Sequence, residues 1–137
     1  MIKRKAENKK FSVWEYTRPD YSEIKKKISD CKNKMQNAAS YQMFRDTWLE
    51  VKKELEYMLF QEEIIYIRYL CGIDYQYSLE EVELQDREEP SVYALRDECN
   101  KMAASSEYRS ELEQEFGRQI FADIDQHKTA GNQDSMR

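Results

Sequence analysis

Residues Phe44 to Tyr69 read F-R-D-T-W-L-E-V-K-K-E-L-E-Y-M-L-F-Q-E-E-I-I-Y-I-R-Y. Stepping alternately by four and three from Phe44 gives Phe44, Trp48, Val51, Leu55, Met58, Glu62, Ile65 and Tyr69. All but Glu62 are apolar or aromatic, so one face of a long helix must be buried. A second stripe develops late in the stretch, through Tyr57, Phe60, Ile64, Ile67 and Cys71. It predicts a C-terminal half apolar on two faces and buried more deeply than the first half. Ser40 is placed to cap this helix, Gly72 to end it and Asp74 to cap the next one.

The pattern extends in both directions. Upstream, Pro19 follows an extended Phe11–Arg18, Asp20 stands at a cap position, and Glu23 lies three residues on. Tyr21, Ile24, Ile28, Cys31 and Met35 then form a single narrow stripe. Asn37-Ala38-Ala39 breaks it. Downstream, a helix starting near Tyr75 carries Leu79 and Val82 in an acidic run, and Pro90 predicts a kink or a restart. Val92, Leu95, Cys99 and Met102 continue its apolar face. Ser105 or Ser106 is placed to open a last helix, with Tyr108, Leu112, Phe116, Ile120 and Ile124 facing inward. Gly117 falls inside that helix, where it costs about 1 kcal/mol relative to Ala, and a close helix contact is the expected reason.

The fold class expected is therefore all-α. It is an elongated antiparallel bundle of about four helices, with two long central ones joined by a short link. Only 3 Gly and 2 Pro in 137 residues leave room for few turns. Residues 11–128 form one helical domain on this reading, between a disordered basic tail at 1–10 and a polar C-terminal tail at 129–137.

Charge is uneven. Residues 1–34 hold 11 Lys/Arg against 5 Asp/Glu, while the rest holds 11 against 22. Clustered Arg and an aromatic stacking platform are missing from the basic third, so nucleic acid is not the expected partner. The longest apolar run, Ile64 to Ile67, is far too short for a membrane span, and the basic start has no apolar segment after it to make a signal peptide. Cys31, Cys71 and Cys99 are odd in number and include no C-x-x-C pair. They predict packed thiols in a reducing cytoplasm.

The inventory for chemistry is thin. His127 is the one histidine, so an H-E-x-x-H zinc helix cannot be built. The adjacent pairs Glu62-Glu63, Glu80-Glu81 and Glu88-Glu89 point about 100° apart on a helix and read as solvated faces. The glycines are too scattered to cradle a phosphate. No catalytic, cofactor-binding or metal-binding residue is assigned. Arg68, among Ile64, Ile65, Ile67 and Leu70, is expected to pair with a carboxylate of a neighbouring helix, the sharper alternative being a peptide carboxylate.

Two tracts carry a family resemblance. Ser105–Phe121 (S-S-E-Y-R-S-E-L-E-Q-E-F-G-R-Q-I-F) and Phe11–Ile24 (F-S-V-W-E-Y-T-R-P-D-Y-S-E-I) resemble the N-terminal region of the oligoendopeptidase F family, zinc peptidases related to thimet oligopeptidase. Tyr16, Arg18, Pro19 and Asp20, then Asn37 to Ser40, Ile67-Arg68 and Pro90 anchor the likeness. It implies a helical wall of a deep channel over the zinc site, with the catalytic domain following in the same polypeptide. The chain departs from the pattern in stopping where the family continues, in its tail after Lys128, and in Tyr69, where histidine is expected. The resemblance thus implies a non-catalytic N-terminal portion, inactive alone, with zinc and oligopeptide substrate only in the full enzyme. Its partner would be the missing catalytic domain or another chain, self-association included. The alternative is a stand-alone helical interaction module. On the first reading Tyr57, Phe60, Ile64 and the Phe121 side of the last helix face the catalytic domain and stay uncovered here.

Overall fold

Each helix boundary follows from a local capping or turn signal. In the computed structural model, which describes residues 14–126, Trp14 to Asp20 form an extended strap. Pro19 holds the chain out of the helical region, and Asp20 starts helix α1, Tyr21–Gln36, its side chain accepting from the Glu23 N–H at 3.1 Å. All five residues of the sequence stripe, Tyr21, Ile24, Ile28, Cys31 and Met35, are buried. Ser40 caps α2, Tyr41–Leu70, by accepting from Met43 N–H at 3.2 Å. Gly72, at φ +72°, ends it. The Gly72 N–H reaches Tyr69 O and the Ile73 N–H reaches Arg68 O, the paired bonds of a Schellman turn.

Helix α3, Tyr75–Ala104, runs back along α2. Asp74 stands at its N-cap in the left-handed region and makes no side-chain capping bond, contrary to its expected role. Ser78 instead donates its hydroxyl to Ile73 O at 2.7 Å. No restart occurs at Pro90, which sits exposed inside an unbroken helix. Val92, fully buried two residues on, anchors the chain on the far side of the proline against the core.

The contacts fix directions. Trp48 on α2 donates to Asn100 on α3 at 3.0 Å, and Tyr69 stacks on Tyr75 at the turn, so α2 and α3 form an antiparallel hairpin about 45 Å long. Along α1 and α3, Lys25 pairs with Glu88 and Lys32 with Glu98, so these two run parallel. The basic side chains Lys25 and Lys32 of α1 therefore lie against acidic positions of α3. The core is the triangle enclosed by α1, α2 and α3.

The expected fourth long helix is not formed. Ser105 closes α3 by donating to Lys101 O at 2.9 Å, and α4 is the short Arg109–Phe116. The architecture is three long helices with short helical pieces appended. It is all-α as expected, but not a four-helix bundle among the described residues. Gly117 ends α4 at φ +108° and ψ 148°, a conformation open essentially to glycine. A Cβ there would meet nothing within 4 Å, so the close contact expected from sequence is absent and the backbone conformation is the reason for glycine. The break also shifts the helical phase. Phe121, rather than Ile120, reaches the core at 1% exposure, and residues 122–126 resume as a helix. Arg109 ties the two pieces together through Asp125 at 2.7 Å, with its guanidinium over the Phe121 ring. Gly117→Ala is expected to lower stability by about 1–3 kcal/mol, read by urea unfolding, although no side chain is crowded. The tails at 1–10 and 129–137, and His127, lie outside the described residues.

Candidate functional site

Where the strap crosses the α2–α3 hairpin, polar groups are drawn under cover. Glu81 of α3 is 2% exposed at its side chain and takes a fork from Arg18, Nε to Oε1 at 2.9 Å and Nη2 to Oε2 at 2.6 Å. The Tyr16 hydroxyl donates to the same Oε1 at 3.0 Å. The Arg18 bonds are the largest influence on this carboxyl, and they outweigh its burial to hold it below the usual carboxylate range. Beside it, the Thr17 N–H donates to the buried Gln61 side chain at 2.8 Å, and Arg68 donates to the Trp14 carbonyl. Arg68 thus serves the strap backbone. The carboxylate grip expected of it belongs to Arg18.

One helical turn deeper is Glu62, at 3% exposure. Tyr21 donates to its Oε2 at 2.8 Å, while Oε1 meets no donor among the described residues. Burial first, then the adjoining Glu89 carboxyl, push Glu62 up to about 8, against the opposing pull of the Tyr21 hydrogen bond. It is held neutral in the folded protein at neutral pH. Burial likewise pushes the Tyr16 and Tyr21 hydroxyls well above the ordinary phenol range, so both keep the protons they donate to Glu81 and Glu62.

The reading of all three Glu pairs as solvated faces therefore fails for Glu62 and Glu81. Glu62 carried a signal, since it occupies a stripe position of α2. Glu81 carried none, because the inner face of α3 there runs through Ser78, Glu81, Val82 and Gln85, which apolar periodicity passes over. Cys31 and Cys99 are buried as expected, but Cys71 is exposed beyond the end of α2. Burial pushes the Cys31 thiol up to about 11, with Glu50 adding to it, so it stays protonated and unreactive at neutral pH.

The second feature of this end is aromatic. The expected deep burial of the C-terminal half of α2 is not found, because Tyr57 and Phe60 are each 48% exposed. Of the four positions expected to stay uncovered, these two do so, while Ile64 and Phe121 are buried. Among the described residues, seven of the eight large exposed hydrophobic side chains lie between Tyr57 and Tyr77. Trp14 packs on Phe60 at 5.5 Å, Tyr16 meets Tyr77 edge-on, and Tyr66, Tyr69 and Tyr75 run ring to ring around the hairpin turn. The third helix of the bundle leaves this side open because α1 lies against the opposite, Met58–Ile65 side of α2.

The arrangement braces the strap against the α2–α3 hairpin. No group of three or more His, Cys, Asp or Glu side chains among the described residues could hold a metal ion. No helix among them is long and apolar enough to cross a membrane. The sequence matches the family described as Peptidase M3 N-terminal domain over residues 11–130. The chain belongs to that family. The matched span takes in the strap, all three long helices and α4, so the M3 N-terminal domain is the unit built on this core. No curated protein and no solved structure matches the chain.

Proposed function

We propose that this M3 N-terminal domain is the non-catalytic helical part of an oligoendopeptidase F-like zinc peptidase, forming one wall of the channel through which peptides reach the zinc. The observation that carries this reading is the family match from 11 to 130, which covers the whole described bundle. The brace supports it. Tyr16, Arg18 and Glu81 spend their hydrogen bonds on each other rather than on a reacting group, which suits a scaffold. Zinc and the hydrolytic residues then belong to the catalytic part, and the oligopeptide contacts this domain only within the assembled enzyme. Three free cysteines fit work in a reducing cytoplasm.

Metal analysis and a fluorogenic oligopeptide assay on the purified chain test the reading. The expected result is no stoichiometric zinc and no turnover. Bound zinc with turnover that a chelator abolishes would overturn it.

A further inference from the structure

We infer that Glu62 and Glu89 share a single proton, and that this proton is a latch: its loss lifts the Trp14–Asp20 strap off the α2–α3 hairpin while the three long helices stay packed.

The hydrogen bonds around Glu62 leave one donor missing. Tyr21 donates to Oε2 at 2.8 Å, and Oε1 is buried with no donor among the described residues. On α3, Gln85 Oε1 is likewise a buried acceptor without a donor. The Trp48–Asn100 bond and the Tyr69–Tyr75 stack set the register of the hairpin, which brings Gln85 level with Glu62 and Glu89 one turn further along α3. The place is rich in acceptors and short of donors. A carboxylate only accepts, whereas a protonated carboxyl turns one of its oxygens into a donor. The Glu89 carboxyl lies within hydrogen-bonding reach of Glu62. One proton held between the two supplies the donor that Oε1 lacks, and carboxyls this close resist ionising together.

The surrounding charges give the anion little help. The titratable and charged groups around the pair are Tyr16 and Arg18 on the strap, Tyr21 and Lys25 on α1, Glu63 on α2, and Glu81, Asp86, Arg87, Glu88 and Tyr93 on α3. Arg18 is committed to Glu81, and Lys25 to Glu88 at 3.5 Å. Arg87 and Glu63 are exposed, so solvent screens them. Tyr21 favours the anion, but its one hydrogen bond is outweighed by burial and by Glu89. When the proton passes to a base in solution, two neighbouring carboxylates remain that only water can satisfy.

The strap is the part that yields. Val92 and Cys99 hold α3, and Met58 and Ile65 hold α2, all fully buried. The strap has no helical ladder, and its anchors flank the pair. Thr17 binds Gln61, the neighbour of Glu62, and Arg18 binds Glu81, one turn before Gln85. The Arg18 side chain is 59% exposed, so water already reaches the outer end of that anchor. Lifting the strap hydrates the pair and also frees Trp14 from Phe60.

Fluorine NMR of the chain grown with 5-fluorotryptophan tests this, because one of its two tryptophans reports the strap and the other the core. Trp14→Phe assigns the two signals. As pH rises through about 8, the Trp14 signal should move toward that of the free amino acid and gain a solvent isotope shift, while the Trp48 signal stays in place. Glu62→Gln should hold the Trp14 signal at its neutral-pH position up to about pH 9.5, since the titrating carboxyl is gone. Glu89→Gln should lower the midpoint by about one pH unit, since the neighbouring negative charge is gone. Circular dichroism checks that each variant folds, and Glu89→Gln, at a half-buried position, carries the test if Glu62→Gln does not fold. A Trp14 signal that ignores pH overturns the latch, as does a transition that persists in Glu62→Gln. Joint movement of both signals also overturns it, because the whole bundle would then be opening. An unchanged midpoint in Glu89→Gln overturns the shared proton.

Discussion

Phe121→Ala lowers the stability of the domain by about 3–5 kcal/mol in urea unfolding, while Ile120→Ala costs well under half of that. Phe121 is 1% exposed and meets the Trp48 ring at 6.1 Å, with the Arg109 guanidinium 5.3 Å above its centre. Truncation leaves a ring-sized void among side chains that rigid helices α2 and α3 hold in place, so little of it can collapse. Ile120 is only half-buried at the edge of the same cluster. The order of the two effects tests the phase shift at Gly117. If the helix ran through Gly117 as the stripe Leu112, Phe116, Ile120 and Ile124 suggests, Ile120→Ala would be the more damaging change.

Stability falls between about pH 4.5 and pH 8, and Glu62→Gln removes that part of the decline. The folded carboxyl is raised from 4.5 to about 8. Below the unfolded value both states carry the proton, and the buried neutral group is compatible with the fold. Between the two values the unfolded chain has lost the proton and the folded one keeps it, so unfolding releases a proton and raising the pH favours it. Above about 8 the loss is complete. Its size is on the order of 2–4 kcal/mol, less than the full shift converts to, because relaxation lets water reach part of the charge. Glutamine can still accept from Tyr21, and its amide can face Glu89. The variant should therefore match the unaltered chain at acid pH and exceed it at pH 9. Glu81 acts in the opposite sense: its lowered carboxyl contributes stability that is lost as pH falls through its folded value. Since both proteins keep Glu81, the difference between their profiles isolates Glu62. Parallel profiles would show that Glu62 is ionised in the folded state.

The three-helix core was legible because its residues obey short-range rules. Asp20 and Ser40 cap where their spacing says they should, and Gly72 turns the chain as expected. The α1 stripe from Tyr21 to Met35 is buried without exception. The failures have physical causes as well. A lone Gly117 in an amphipathic run reads as a weak point in a helix, because a positive φ leaves no trace in periodicity. Glu81 was hidden because burial of a charge is decided by its partner, and Arg18 lies 63 residues away. The second stripe of α2 was seen correctly as apolar and wrongly as covered. Periodicity reports what a helix face is made of, and only the number of neighbouring helices settles what lies against it. Only α1 and α3 pack extensively against α2, so Tyr57 and Phe60 are left about half exposed. The family resemblance was legible in Tyr16, Arg18 and Pro19, and the bonds of Tyr16 and Arg18 to Glu81 give two of those positions a structural task.

The strap over Trp14–Asp20 has a further consequence, one of time. It has no helical ladder, and its hold on the bundle is side chain to side chain and side chain to backbone, across 44 to 65 residues of sequence. Such a clasp can open without unwinding a single turn of α1, α2 or α3. The Thr17 amide, protected by Gln61 alone, should therefore exchange with solvent deuterium far sooner than the amides around Met58 and Ile65. Each opening uncovers Glu81 and Gln61 for an instant while the bundle stays whole, so the domain keeps two clocks, a fast one for its clasp and a slow one for its core.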